Sequence, residues 1–285
     1  MTIYRKRILI TGAAGMLGQA VAVEFQRRGD EVLPLTRREL DITDFAAVRS
    51  ALWHFRPHVV VNCAAYTNVD GAEGDYRRAL LVNGLGPRHL ALACREMDAD
   101  LVHISTDYIF DGSNPVPYGI FDPPDPINAY GRSKLWGEQS VAAAGGRYYI
   151  VRTSWLFGPG GKNFVDTILR TGREKGEARV VNDQRGCPTY TVDLARALAD
   201  LAATGSYGTY HVTNSGSTTW YDFAAASLAM AGFKVRLSPC TTAEFPRPAK
   251  RPACSMLDPF PLKETIGYLL PPWEDALQRY LSRVT

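Results

Sequence analysis

The stretch Ile8-Leu9-Ile10-Thr11-Gly12-Ala13-Ala14-Gly15-Met16-Leu17-Gly18 decides how this chain is read. Its three leading apolar residues form a short strand that runs into a glycine-rich turn. Beyond the turn, Leu17, Val21, Glu24 and Phe25 recur at helical spacing up to Arg28, and Gly29 stops the helix. The glycines follow G-x-x-G-x-x-G. Gly12 permits the tight turn, Gly15 lets the backbone approach a pyrophosphate, and Gly18 lets helix and strand pack closely. The helix N-terminus offers unpaired N–H groups and a partial positive charge to phosphates. A strand, this turn and a helix in that order predict a dinucleotide site.

The alternation continues outward from this unit. Glu31 to Leu35, Val59 to Val61, Leu101 to Ile104 and Tyr148 to Arg152 read as strands. Between them, Asp44 to Phe55 (with Asp44 as N-cap), Arg77 to Met97 and Ala129 to Ala143 read as helices. Uniformly apolar strands alternating with helices predict an α/β fold, a Rossmann-type doubly wound parallel sheet. After residue 155 the pattern loosens, with helices expected near 162–175, 191–204, 220–231 and 273–282 and a Pro-rich loop over 239–261. The expected organisation is a dinucleotide-binding domain over 1–155 and an interleaved, smaller C-terminal substrate-binding region over 156–285. Residues 111–128 hold five prolines and read as a long loop, a kind that is often functional.

Composition removes several other classes. Of the 285 residues, 32 are Lys or Arg and 29 are Asp or Glu, a net charge of +3. That is too small to imply nucleic-acid binding. No apolar run approaches the ~18 residues of a membrane span. The apolar part of the N-terminus, Ile8 to Ile10, is too short for a signal peptide. The five cysteines form no C-x-x-C pair, so neither a zinc site nor a disulfide framework is expected. Reduced thiols in the cytoplasm are the simplest reading.

Three segments carry chemistry. Thr36-Arg37-Arg38 ends the second strand, where an acid would bind a ribose 2′-hydroxyl and a cation suits a 2′-phosphate. The arginines therefore favour NADPH, with NADH possible. Asp41-Ile42 follows and is placed to flank the adenine. Tyr130 and Lys134 lie four residues apart on one helix face. An ammonium beside the phenol is expected to lower its pKa and equip it for proton exchange with a carbonyl or hydroxyl. Ser105-Thr106 ends the fourth strand, where a hydroxyl can polarise a substrate carbonyl.

Together these residues resemble the extended short-chain dehydrogenase/reductase family, most of all its dTDP-4-dehydrorhamnose reductase branch. The resemblance spans nearly the whole chain: GAAGMLGQ, LDITD (40–44), VVNCAAYTNVDGAE (60–73), VNGLG (82–86), LVHISTDYIFDG (101–112), YGRSK (130–134), RTSWLFG (152–158), NDQRGCPT (182–189), YHVTNSG (210–216) and RPACSMLD (251–258). It implies a catalytic triad of Thr106, Tyr130 and Lys134. Tyr130 is then the proton donor, Lys134 holds the nicotinamide ribose, and Thr106 bonds the keto oxygen. It also implies cofactor contacts at Gly12, Gly15, Met16, Leu17, Arg37, Asp41, Ile42, Asn62, Ala64, Ala65 and Tyr66. Substrate contacts are implied at Thr67, Val69, Asp107, Trp155, Asn163 and Arg251.

The implied reaction is NADPH-dependent reduction of the 4-keto group of a nucleotide-linked 4-keto-6-deoxy-sugar. The alternatives are a 4-ketoreductase or epimerase for another nucleotide deoxysugar, or a non-catalytic subunit like that of methionine adenosyltransferase. Asp107 is followed by Tyr108 rather than by the second acid of the related dehydratases, which argues against dehydration. Two departures stand out. Pro117-Tyr118 is followed by Gly119-Ile120 where the family often carries an acid. Gln19-Ala20 follows Gly18 with no acid before Glu24, which argues against the metal-bridged dimer of some members. A monomer or homodimer without metal is expected.

Overall fold

The computed structural model describes residues 5–284. Six parallel strands form the central sheet: β1 (Arg7–Thr11), β2 (Glu31–Leu35), β3 (Val59–Asn62), β4 (Asp100–Thr106), β5 (Tyr148–Thr153) and a sixth, Gly208–His211. Across the sheet the order is sixth-β5-β4-β3-β1-β2. The winding direction therefore reverses between β1 and β3, and a ligand crevice opens beyond the strand ends at such a reversal.

Strand residues alternate between two cores. Ile8, Ile10, Val59, Val61, Tyr149 and Val151 pack on one face under α1 (Met16–Arg27) and the Thr191–Leu201 helix. Leu9, Val60, Leu101 and Ile150 pack on the other under α2 (Phe45–Phe55), the Gly86–Glu96 helix and the Ala129–Ala144 helix. Residues beyond 155 thus return both a strand and a helix to the sheet. A third core gathers Phe157, Tyr190, Phe223, Trp273 and Tyr280 among the Phe164–Lys175, Trp220–Met230 and Trp273–Val284 helices. Beside it, Glu177–Val181 pairs with Arg236–Cys240, a strand at the start of a stretch read from sequence as loop.

The helix expected over Arg77–Met97 is continuous but widens in its middle. It runs as Tyr76–Leu80, a π-helical turn Leu81–Leu85, and Gly86–Glu96. Pro87 has no N–H for the Asn83 carbonyl, which frees that carbonyl and favours the wider turn. The freed oxygen faces the Ala129–Ala144 helix so closely that a Cβ at Gly137 would lie 2.2 Å from it. The 111–128 loop is irregular as expected. Phe110 stacks on Tyr118 at 4.2 Å, and backbone bonds tie Tyr118 to Met256 and Asp258.

Candidate active site

The glycine turn shows three different constraints. Gly12 has φ +67°, and a Cβ there would lie 2.6 Å from the Ala64 nitrogen. A Cβ at Gly18 would lie 2.5 Å from the Gly12 carbonyl oxygen. At Gly15 the nearest atom is the Gly12 carbonyl oxygen at 3.3 Å, a tight contact but the mildest of the three, which a shift of a few tenths of an ångström relieves. Gly15 is also the N-cap of α1 and supplies no side-chain cap, and the first turn carries no acid. The leading N–H groups of the helix, those of Met16 and Leu17 among them, are left for an anion. These features fit a dinucleotide pyrophosphate.

Around the turn, the Ala13 N–H donates to the Leu35 carbonyl, so the end of β2 abuts it. Arg37 and Arg38 are exposed immediately beyond, with Arg37 3.6 Å from Asp41. Asp41 accepts from the Thr43 backbone and hydroxyl, which hold its carboxyl below the usual range. Ile42 turns its side chain into the second core, and its carbonyl meets His89. Asn62 is buried beneath the turn. Its Oδ1 accepts from the Thr11 hydroxyl at 2.7 Å and the Ala64 N–H at 3.2 Å, and its Nδ2 lies 3.0 Å from His103 Nδ1. Asn62 therefore shapes the cradle from below. The following residues, Ala64, Ala65 and Tyr66, are partly exposed beside it.

Tyr66 is held by Asn83. The Asn83 Oδ1 accepts from the Tyr66 N–H at 2.7 Å, and its Nδ2 donates to the Tyr66 carbonyl and the Ser133 hydroxyl. Asn83 was missed in the sequence, although a polar residue before Gly84 and Gly86-Pro87 was its signal. Asn128, also missed, caps the Ala129–Ala144 helix by accepting from the Gly131 N–H at 2.7 Å. An Asn just before a helical pattern is a readable N-cap.

That helix lies against the end of β4 residue by residue. Lys134 Nζ donates to the Ile104 carbonyl at 2.6 Å. The Ser105 hydroxyl donates to Glu138. Thr106, whose hydroxyl sits beside Tyr130, donates to Asp107 Oδ1 at 2.9 Å. The triad implied by the sequence is thus brought to one place.

Its electrostatics differ from the expectation. Burial pushes the Tyr130 phenol up to about 12, the Asp107 charge adds to this, and Thr106 opposes it. Lys134, whose ammonium donates to the Ile104 carbonyl, is not among the groups that shift it. Lys134 is itself pulled down to about 8 by burial, against the attraction of Glu138. Burial lifts Asp107 to about 6, opposed by the Ser255 and Thr106 hydroxyls.

Beyond Tyr108, which meets Tyr130 edge to face at 5.9 Å, opens a cavity of about 730 Å³. Phe164 and Trp220 give it an aromatic wall, and Arg179, Arg247, Lys250 and Arg251 give it cations. Arg251 pairs with Asp70 at 3.0 Å, which joins the loop holding Thr67 and Val69 to the cavity wall. Trp155, with φ +48°, is not in the cavity lining but stacks at 3.6 Å on Trp220, which is. Asn163 is a correction. Its Oδ1 caps the Phe164–Lys175 helix and its Nδ2 donates to Gly158, Asp166 and Tyr280, so it supports the cavity wall and has no N–H left for substrate.

Among the described residues no cluster of His, Cys, Asp or Glu could hold a metal, and no helix is long and apolar enough to cross a membrane. The described cysteines are unpaired.

Comparison with known proteins agrees with this geometry. The family model described as RmlD substrate binding domain matches residues 6–285. The spore coat polysaccharide biosynthesis protein SpsK of Bacillus subtilis is 42% identical over 276 residues, 97% of each chain. A dTDP-4-dehydrorhamnose reductase of Streptomyces griseus is 48% identical over 261 residues, 89% of this chain and 86% of that one. The crystal structure of dTDP-4-dehydrorhamnose reductase from Bacillus anthracis in complex with NADP superimposes with a TM-score of 0.96 at 42% identity, covering 98% and 100% of the two chains. Matched by that family model over nearly its whole length, the chain belongs to the RmlD substrate binding domain family.

Proposed function

We propose that this protein is an NADPH-dependent reductase of the 4-keto group of a nucleotide-linked 4-keto-6-deoxy-sugar, converting dTDP-4-dehydro-L-rhamnose to dTDP-L-rhamnose. One observation carries the reading: the fold offers an uncapped glycine turn, a Thr106–Tyr130–Lys134 group in which Thr106 and Lys134 are buried and Tyr130 is half-buried, and a cation-lined cavity that begins at Tyr108, the aromatic neighbour of Tyr130. The turn suits a dinucleotide and the cavity a nucleoside diphosphate. The cofactor, when bound at the cradle, supplies the hydride. Lys134 then holds the nicotinamide ribose beside the end of β4. Tyr130, protonated at neutral pH because burial raises its pKa, gives its proton to the keto oxygen as that oxygen becomes an alkoxide, a far stronger base than a phenolate. Thr106, whose O–H donates to Asp107 in the unliganded protein, turns that O–H to the same oxygen. Asp107, Thr67, Val69 and Trp155 are assigned to the walls of the sugar pocket, and Arg251 to the diphosphate. Unpaired cysteines fit a reducing compartment, and we place the enzyme in the cytoplasm as a monomer or homodimer.

The test is consumption of NADPH with dTDP-4-dehydrorhamnose, with the product configuration at C4 read by NMR. No NADPH oxidation across a panel of 4-keto-6-deoxy nucleotide sugars would overturn the reading.

Two further outcomes are expected. NADPH is used with higher kcat/KM than NADH, and Arg37→Ala with Arg38→Ala erases about tenfold or more of that advantage, since a hydrogen bond to a charged group is worth about 1.5–3 kcal/mol. Equal use of both cofactors by the wild type would make these arginines surface charges. Arg251→Ala raises KM for the nucleotide sugar by about tenfold or more while KM for NADPH stays constant. Asp70→Asn serves as the control for loss of the ion pair alone.

A further inference from the structure

Glu138 lies one turn beyond Lys134 on the same helix and was singled out by no motif. Both side chains are buried, at 4% and 2% exposure. A buried carboxylate needs partners to remain charged. Glu138 has two: the Arg152 guanidinium from β5, which meets both carboxylate oxygens at 2.8–3.2 Å, and the Ser105 hydroxyl from β4. Arg152 is held in turn, with Nη1 3.3 Å from His211 Nε2 on the sixth strand and the guanidinium over the Phe110 ring. Ser105 is flanked by Ile104, whose carbonyl receives Lys134, and by Thr106, which faces Tyr130. Three consecutive β4 residues therefore meet helix positions 134, 138 and 130.

We propose that Glu138 is a positioning residue: clamped by Arg152 and Ser105, it sets the register of the Tyr130–Lys134 helix on β4 and supplies the negative charge that faces Lys134. The other groups that act on Lys134 itself carry no charge where it titrates. Cys63, after β3, has its thiol pushed up by burial and stays protonated. His103 on β4 is held far below its usual range by burial and stays neutral. Tyr130 is a protonated phenol on the same helix. Asp107 faces Tyr130 and Thr106. On the far side of Glu138, burial and Arg152 bring His211 down to about 3, so it too is neutral. Glu138 thus opposes the burial that brings Lys134 to about 8. The activity arm of this inference rests on the reductase reading; the titration arm does not.

The experiment follows the Lys134 titration in the unliganded protein by carbon NMR of lysine-labelled material, with Lys134→Arg assigning the resonance. It is paired with pH profiles of kcat/KM. In Glu138→Gln the midpoint falls by on the order of one unit. The alkaline limb of the profile moves down with it, so the loss is about tenfold above the wild-type midpoint and small near pH 6.5. If Glu138→Gln does not fold because Arg152 is left unpaired, Glu138→Gln with Arg152→Met removes both charges; the paired variant recovers Tm but keeps the displaced midpoint. An unmoved midpoint and profile, with activity loss that only tracks Tm, overturns the proposal. A wild type that lacks reductase activity overturns the function instead, and the midpoint still decides the role of Glu138.

Discussion

In Tyr130→Phe, turnover falls by about 10²–10⁴-fold, the range typical of general acid catalysis, while NADPH binds as it does to the wild type. The substitution keeps the ring in its edge-to-face contact with Tyr108 and removes only the O–H. The phenol, raised to about 12, is protonated throughout the neutral range, so the lost group is a proton donor and not a base. Steady-state kinetics and a fluorescence titration of NADPH check both halves. Near-normal turnover would transfer the role to another acid, and Asp107, raised to about 6 beside Thr106, is the nearest one.

Gly12→Ala and Gly15→Ala separate two meanings of a glycine in the same turn. Gly12→Ala places a methyl group 2.6 Å from the Ala64 backbone at a φ of +67°. Overpacking costs about 1–3 kcal/mol and positive φ about 1–2 more, so the expected loss is about 2–5 kcal/mol of stability. The β1 turn and the loop after β3 must then move apart, and cofactor affinity falls with Tm. Gly15→Ala meets only the Gly12 carbonyl oxygen, at 3.3 Å, a contact that a small shift relieves, and has an ordinary backbone conformation, φ −79°. Tm should fall much less than in Gly12→Ala, yet NADPH affinity should fall by about tenfold or more, because the methyl group occupies the approach of the pyrophosphate. Thermal melts and NADPH titrations on both variants decide it. A Gly15→Ala protein that binds NADPH normally would remove the pyrophosphate from this turn.

The contrast between these glycines marks how far reading along the chain can go. The spacing of Gly12, Gly15 and Gly18 was legible, but which of them answers to the protein and which to a ligand depends on what lies across the turn. The same holds for Asn62. Its place at the end of β3 pointed to the cofactor, whereas its amide is engaged with Thr11, Ala64 and His103 below the cradle. Asn163 likewise caps a helix, a role that its neighbours in sequence allow but do not distinguish from ligand binding.

By itself the sequence determined the strands, most of the helices and the positions of Tyr130 and Lys134. These follow from local steric preferences and the periods of side-chain direction, which act over a few residues. It also determined the parallel sheet, because apolar strands separated by helices have few other ways to bury both faces. Only the tertiary structure decided the π-helical turn at Leu81–Leu85, the placing of Asn83 under Tyr66, and the clamp of Glu138 between Ser105 and Arg152. It also reversed the expected direction of the Tyr130 shift. A pKa and a buried ion pair depend on the dielectric and on charges contributed by segments far apart in the chain. Until β4, β5 and the Ala129–Ala144 helix are packed together, those surroundings do not exist.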